Sequence, residues 1–314
     1  MLHRYDEIGS DGARACRWID LVDPSLEEIE LVRRQTGVDV PSQESLREIE
    51  ASSRLRVHTD VLYMSAPLLA GTATEDWSVA PAGFILAPDI LVTVRFSDIE
   101  AFDSVAAEIT AEDGLLPAAI FTRLLEEIVD RSADHLERAA EAINATSRAI
   151  FFDQPRRRQL SHDTATLRRA MRNIGQVSDR ASQVRYTFLS IGRMADFVME
   201  RCTPKLEDGM RDRLLAVRRD ISSLDEFELS LSGRVQLLQD AATGFISIAQ
   251  NDVVKVLTVA SVVGIPPVLV VGIYGMNFRE MPELSWKFGY PFALMLCAIS
   301  ILLPLVWFKW RDWI

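Results

Sequence analysis

Residues 251–277 read NDVVKVLTVASVVGIPPVLVVGIYGMN, from Asn251 to Asn277. Beyond Lys255 the stretch carries no charge for about twenty residues, enough for a helix to cross a hydrocarbon core of roughly 30 Å. A short polar loop follows, and then a second apolar run from Tyr290 to Phe308. Two spans behind some 250 polar-surfaced residues are too few to enclose a pathway alone. The pair is therefore either an anchor or one share of an assembly built around an axis.

Working back from Asn251, no proline appears between Glu207 and Pro266. A helix continuous from there to Tyr274 would be ~100 Å long at about 1.5 Å per residue. Gly209, Gly233 and Gly244 each weaken it by roughly 1 kcal/mol relative to alanine, so packing must hold it. Earlier still, Ile120, Leu124, Ile128 and Leu136 recur at helical spacing in a segment from Leu116 to about Phe152. Gln154-Pro155 and Arg156-Arg157-Arg158 form a solvated turn, and a further helix covers about Thr164 to Glu200 before Thr203-Pro204. Residues 1 to about 98 read as mixed α/β. Strands are expected at Cys16–Val22, Leu55–Thr59, Val61–Leu69, Val79–Leu86 and Ile90–Arg95. Ser25 and Glu28 form a capping box for a helix that Gly37 ends, and a second short helix fits Ser42 to Ala51. The fold class is thus an α+β domain with long helices over 1–250, followed by two transmembrane helices over 251–314. The first of these, about 253–274, continues the long stalk; an outer loop fills 275–289 and the second helix covers about 290–308.

The formal charge of −11 is unevenly placed. From Asn251 onward there are five basic and four acidic residues, so 1–250 carries −12. That disfavours nucleic acid as a partner and favours loosely held cations. Cys16, Cys202 and Cys297 are isolated, as are the four histidines, and give neither a disulfide framework nor a zinc motif. No Gly-rich phosphate cradle follows a strand. No nucleophile–base pair stands out, so neither an enzyme nor a bound cofactor is expected. Met1 to Glu7 lacks the apolar core of a signal peptide, which places the large domain in the cytoplasm. Trp307, Trp310 and Trp313 recur every third residue as an interfacial belt, and Lys309 and Arg311 put that end inside too.

Within the first span, Asn251, Val254, Leu257, Ser261, Ile265, Val268 and Gly272 follow spacings of three or four and share one stripe. Two arrangements fit. The stripe is either a helix-packing interface, helped by the small residues Ser261, Gly264 and Gly272, or the lining of a pore whose apolar rings can close by dewetting. Pro266-Pro267 in mid-span is awkward in a lone anchor, because neighbours or water must replace lost hydrogen bonds. Gly275 frees the backbone to leave the helix, and Asn277 can aim an amide oxygen at an axis. Neutral amides suit the water shell of a reluctantly dehydrated ion such as magnesium. Glu280 and Glu283 in the loop add carboxylates that attract cations, with Arg279 and Lys287 in partial opposition.

Tyr274-Gly275-Met276-Asn277-Phe278, then Met281-Pro282-Glu283-Leu284, Trp286 and Gly289-Tyr290-Pro291, resemble the CorA family of magnesium and cobalt channels. Val253 to Thr258 and Phe308-Lys309-Trp310 fit as well. Trp18-Ile19-Asp20-Leu21-Val22-Asp23-Pro24 and Ile49-Glu50-Ala51-Ser52 extend a weaker likeness over most of the chain. The resemblance implies a homopentamer with a cytoplasmic funnel in the inner membrane, both termini inside, and five stalk helices around one pore. It implies Gly275, Met276 and Asn277 as a selectivity filter for hydrated magnesium, and Asn251, Val254, Leu257, Ile265 and Val268 as pore lining. It also implies gating by intracellular magnesium; Asp212, Asp220, Asp225 and Glu226 on the stalk are candidate regulatory residues. Val254, where a methionine is common in the family, and Gly264-Ile265 within the apolar gate are departures from its pattern.

The expected activity is magnesium influx, with cobalt, down the electrochemical gradient. The related ZntB branch implies instead a proton-coupled zinc transporter, which the absence of histidine and cysteine from the stripe disfavours. A non-conducting membrane-anchored scaffold would explain the stalk but not the prolines or the Gly275-Met276-Asn277 mouth.

Overall fold

The computed structural model describes residues 1–8, 14–48, 50, 54–71, 78–109, 115–151, 160–277, 281–311 and 313. Strands β1 (Leu2–Ile8), β2 (Arg14–Val22), β3 (Leu55–His58), β4 (Val61–Ala70), β5 (Ser78–Leu86) and β6 (Leu91–Arg95) form one sheet in the order β1-β2-β6-β5-β4-β3. Every neighbouring pair is antiparallel except β2 and β6. The helices are α1 (Leu26–Thr36), α2 (Gln43–Leu46), α3 (Glu100–Ile109), α4 (Pro117–Phe151), α5 (Leu160–Arg201), α6 (Asp208–Tyr274), α7 (Pro282–Ser285) and α8 (Gly289–Trp310). The chain divides into two compact units. One comprises Met1–Asp153 and Ala170–Leu238; the other comprises Gln154–Arg169 and Gln239–Ile314.

Local chemistry sets most of the element ends. The Ser25 hydroxyl accepts from the Glu28 N–H while the Glu28 carboxylate accepts from the Ser25 N–H, so both sides of the capping box close. Gly37 ends α1 at φ 71°, a left-handed conformation that glycine adopts without strain. The short helix expected from Ser42 to Ala51 is only one turn, Gln43–Leu46, capped by Ser42; Ile49 and Ala51 lie outside the described residues. Strand β1 was not foreseen. It pairs with β2 at the sheet edge, and its run of His3, Arg4 and Tyr5 lacks the apolar alternation by which strands are read. The basic turn at Arg156-Arg157-Arg158 falls outside the described residues.

β4 and β5 each carry a central proline, and Pro67 lies directly opposite Pro81. β3 covers β4 only as far as Met64, and β6 covers β5 only from Ala82. Both prolines therefore stand where the strand has a single neighbour, the setting in which a missing N–H is tolerated. The Pro67 carbonyl is used: the buried Thr187 hydroxyl of α5 donates to it at 3.0 Å.

The sheet separates two apolar layers. On one face Ile19, Leu21, Ile85, Val92 and Val94 pack with Val32, Val38 and Leu46. Gly83 permits this, because a Cβ there would come within 2.7 Å of Val94 and 3.0 Å of Leu46. On the other face a polar chain crosses the core. Trp18 Nε1 donates to Thr93 Oγ1 at 2.9 Å, Thr93 donates to Asp20 Oδ1 at 2.6 Å, and Arg95 Nε donates to Asp20 Oδ2 at 3.0 Å. Arg95 also reaches Asp103 of α3 and lies 5.1 Å over the Phe102 ring. Burial pushes the Asp20 carboxyl up from its ordinary range, while Arg95 and Thr93 pull the other way.

Truncating Arg95→Ala would leave Asp20, 1% exposed, without its counter-charge. The expected cost is about 3–5 kcal/mol, read as a lowered thermal midpoint of the detergent-solubilised protein. Thr93→Val should cost about 1–3 kcal/mol, because it orphans single hydrogen bonds.

Candidate ion pathway along the long helix

Helix α6 is 67 residues long and passes through Pro266 and Pro267 without a break. Its most apolar 18-residue window has a mean hydropathy of 2.3 and none of it is buried; the window of α8 matches it at 2.3 with 6% buried. Asn251, Val254, Leu257, Ser261, Ile265, Val268 and Gly272 are all exposed, Val268 by 71%. Val259, Val263, Pro266, Pro267, Val270 and Tyr274 are half-buried. At about 100° per residue these two sets fall on opposite faces of the helix. The stripe singled out by spacing thus lies within a wider face of α6 that its own chain leaves bare, with Val253, Val262, Leu269 and Val271 exposed beside it.

Below Asn251 that face carries the exposed polar residues Thr243 and Ser247 and one acidic residue that the spacing had not singled out. Asp240 lies eleven residues before Asn251, which is about three helical turns, and it is exposed. The same periodicity would have found it had the stripe been extended below the apolar segment. Asp252, next to Asn251, points elsewhere and pairs with Lys255 at 3.7 Å.

The helix ends at Tyr274, and Gly275, Met276 and Asn277 follow as an exposed turn. Gly275 N–H donates to the Val271 carbonyl at 2.9 Å and Met276 N–H to Ile273 at 3.2 Å. The chain leaves the helix at Gly275, which does so without adopting a left-handed conformation. Its value is close approach: a Cβ would sit 3.2 Å from the Val271 carbonyl oxygen. Beyond the mouth, Glu280 and the Glu283 side chain lie outside the described residues. Trp286 stacks edge-on with Phe288 and Phe292 just before and within α8. At the other end of α8 the expected belt is modified. Trp307 and Trp310 are on the helix, but Trp313 turns back, its N–H bonded to the Phe308 carbonyl and its ring stacked on Phe308 at 5.5 Å.

Of the four candidate regulatory residues, Asp212, Asp220 and Glu226 are exposed and Asp225 is half-buried against Arg185 of α5 at 3.0 Å. Among the described residues, no three His, Cys, Asp or Glu side chains converge to hold a metal ion. Asp220 does enter an acidic neighbourhood. Partial burial, then the charges of Glu127, Asp220, Glu126 and Asp134, push the Asp130 carboxyl up from its ordinary range. Arg213 relieves part of this by a two-pronged ion pair with Glu126.

A mixed-sheet domain whose last helix runs on as a bare apolar span, followed by a second such span, defines a two-helix membrane protein. The chain belongs to the CorA-like Mg2+ transporter family, whose model matches residues 14–310. The magnesium transport protein CorA of Sodalis glossinidius is 32% identical over 300 residues, covering 95% of this chain and 92% of that protein. That of Yersinia pseudotuberculosis is 32% identical over 323 residues, covering 100% and 96%. The complete structure of the CorA magnesium transporter from Methanocaldococcus jannaschii superimposes with a TM-score of 0.74 at 19% identity, covering 99% of this chain and 95% of that one.

Asp130, with its raised pKa, favours the folded state when protonated and loses that contribution as pH rises through its folded value. Asp130→Asn should therefore raise the thermal midpoint by about 1–2 °C at neutral pH. The gain should shrink as pH falls into the carboxylate range, measured by thermal scans from pH 7 to 4.

Proposed function

We propose that this chain forms a homopentameric channel that admits magnesium to the cytoplasm, with both termini on the cytoplasmic side of the inner membrane. The observation that carries the reading is the bare stripe of α6, which is apolar through the span and ends in Gly275-Met276-Asn277. A helix that already half-buries its opposite face has this face left for an axis shared with other copies. Membership of a magnesium-transporter family supports the cargo.

In this arrangement Asn277 accepts hydrogen bonds from the water shell of the ion, which suits a cation that sheds water reluctantly. Val254, Leu257, Ile265 and Val268 form apolar rings that close the path by dewetting when they narrow. Asn251 marks the cytoplasmic entrance, and Asp240 below it contributes one carboxylate per copy, a ring that holds departing cations near the axis. An interior at −100 mV contributes about 2.3 kcal/mol per charge, so ~4.6 kcal/mol for a divalent ion crossing fully. That gradient drives entry without a coupled reaction. Intracellular magnesium closes the path by binding the acidic residues of the stalk and its neighbours.

Asn277→Ala should assemble normally and lose most magnesium uptake in proteoliposomes. Wild-type flux in that variant would remove Asn277 from the filter. Competition among magnesium, cobalt and zinc under a set pH gradient checks the cargo; zinc uptake abolished by a protonophore would point to proton-coupled zinc transport instead.

A further inference from the structure

Where α5 ends and α6 begins, the first compact unit holds a cavity of about 280 Å³. Five elements meet around it: Leu62 of β4, Leu86 at the end of β5, Pro117 at the start of α4, Cys202 just after α5, and Met210 in the first turn of α6. Leu62 and Leu86 are 1% and 3% exposed and Met210 9%, so the inner wall is apolar. Domain interiors hold few voids larger than a water molecule, and a space of this size against buried side chains stands out. At about 30 Å³ per water-sized group it takes roughly nine non-hydrogen atoms. That is the small end of the range for organic ligands.

The outer wall is charged. Asp60 in the β3–β4 turn, and Lys205 and Glu207 in the link between α5 and α6, line the same cavity and are exposed. Elsewhere in this unit neighbouring charges close on each other, as Arg95 does on Asp20 and Arg213 on Glu126. Here one cation and two anions border a single space, and none of the three side chains has a hydrogen bond or ion pair among the described residues. The first turn of α6 adds N–H groups without intrahelical acceptors, which favours negative charge on the Lys205 side.

We propose that this cavity binds a small zwitterion with an apolar body, a free aliphatic amino acid of about the size of leucine. Its side chain packs against Leu62, Leu86 and Met210. Its carboxylate is met by Lys205 and the start of α6, and its ammonium by Asp60 and Glu207. A simple acid would face two carboxylates and a simple amine would face the lysine, so only a ligand carrying both charges answers all three groups. The site lies within one copy of the chain and shares no residue with the stripe of α6, so it stands whether or not the chain conducts.

The test is isothermal titration calorimetry on the full-length protein in detergent, with L-leucine as the probe. Two analogues of the same shape divide its charges: 4-methylpentanoate lacks the ammonium and 3-methylbutylamine lacks the carboxylate. L-Leucine should bind about tenfold tighter than either. Lys205→Gln should weaken leucine about tenfold without weakening 3-methylbutylamine, and Asp60→Asn/Glu207→Gln should weaken leucine about as much without weakening 4-methylpentanoate. The substituted side chains are exposed, so both variants should keep the wild-type thermal midpoint. Mass spectrometry of iodoacetamide-treated protein locates the ligand: saturating leucine should slow alkylation of Cys202, which lines the cavity, and leave that of Cys297 unaltered. No leucine binding up to about 10 mM would overturn the site. Equal binding of leucine and either analogue would overturn the zwitterion, as would wild-type leucine affinity in both variants. Leucine binding that leaves Cys202 alkylation unchanged would overturn the assignment to this cavity.

Discussion

Backbone groups in hydrocarbon must find partners inside the protein, and this requirement shapes everything from Asn251 onward. Helices meet it, and both apolar spans are helices with little or no side-chain cover from their own chain. Pro266 and Pro267 remove the usual donors to the carbonyls of Val262 and Val263, four residues back. Two hydroxyls in these spans turn to the main chain: Thr258 donates to the Val254 carbonyl and Ser300 to that of Cys297. Those two side chains are thereby satisfied locally. What remains exposed is side-chain surface, which lipid and other helices can cover.

The other half of α6 answers to different physics. Up to Leu238 it packs Leu214, Val217, Ile221, Leu231, Val235 and Leu238 inward and carries arginine ties along its flanks. One helix thus passes from a stretch that buries one apolar face, though Leu215, Phe227, Leu229 and Leu237 stay exposed, to one whose apolar residues are largely displayed. No loop, cap or break marks the change. The sheet is fixed by its own buried polar chain from Trp18 to Arg95, which joins β2, β6 and α3. That domain therefore holds its shape through interactions that involve no residue of the spans.

Much of this was legible because it depends on short-range chemistry. The capping box at Ser25, the stop at Gly37, the proline-free run to Pro266 and the spacing of the bare stripe each follow from a few neighbouring residues. Three features were not legible. β1 is a strand because β2 offers an edge, and nothing in His3-Arg4-Tyr5 announces it. Trp313 obeys the helical period in sequence yet leaves the helix to stack on Phe308. The pairing of Arg185 with Asp225 and Glu228 joins residues some forty positions apart, and no local pattern distinguishes them from other charges on exposed helix faces.

The unbroken path of α6 bears on how sequences of this kind can vary in length. Each residue added to a helix turns everything beyond it by about 100°. Removing a single residue between Leu238 and Asn251 would shift the helical phase of everything beyond it by that angle. Insertions of seven or eleven residues come close to whole numbers of turns and nearly preserve that phase. Loops elsewhere in the chain can lengthen freely, whereas the stalk can change length only in steps set by the helical repeat.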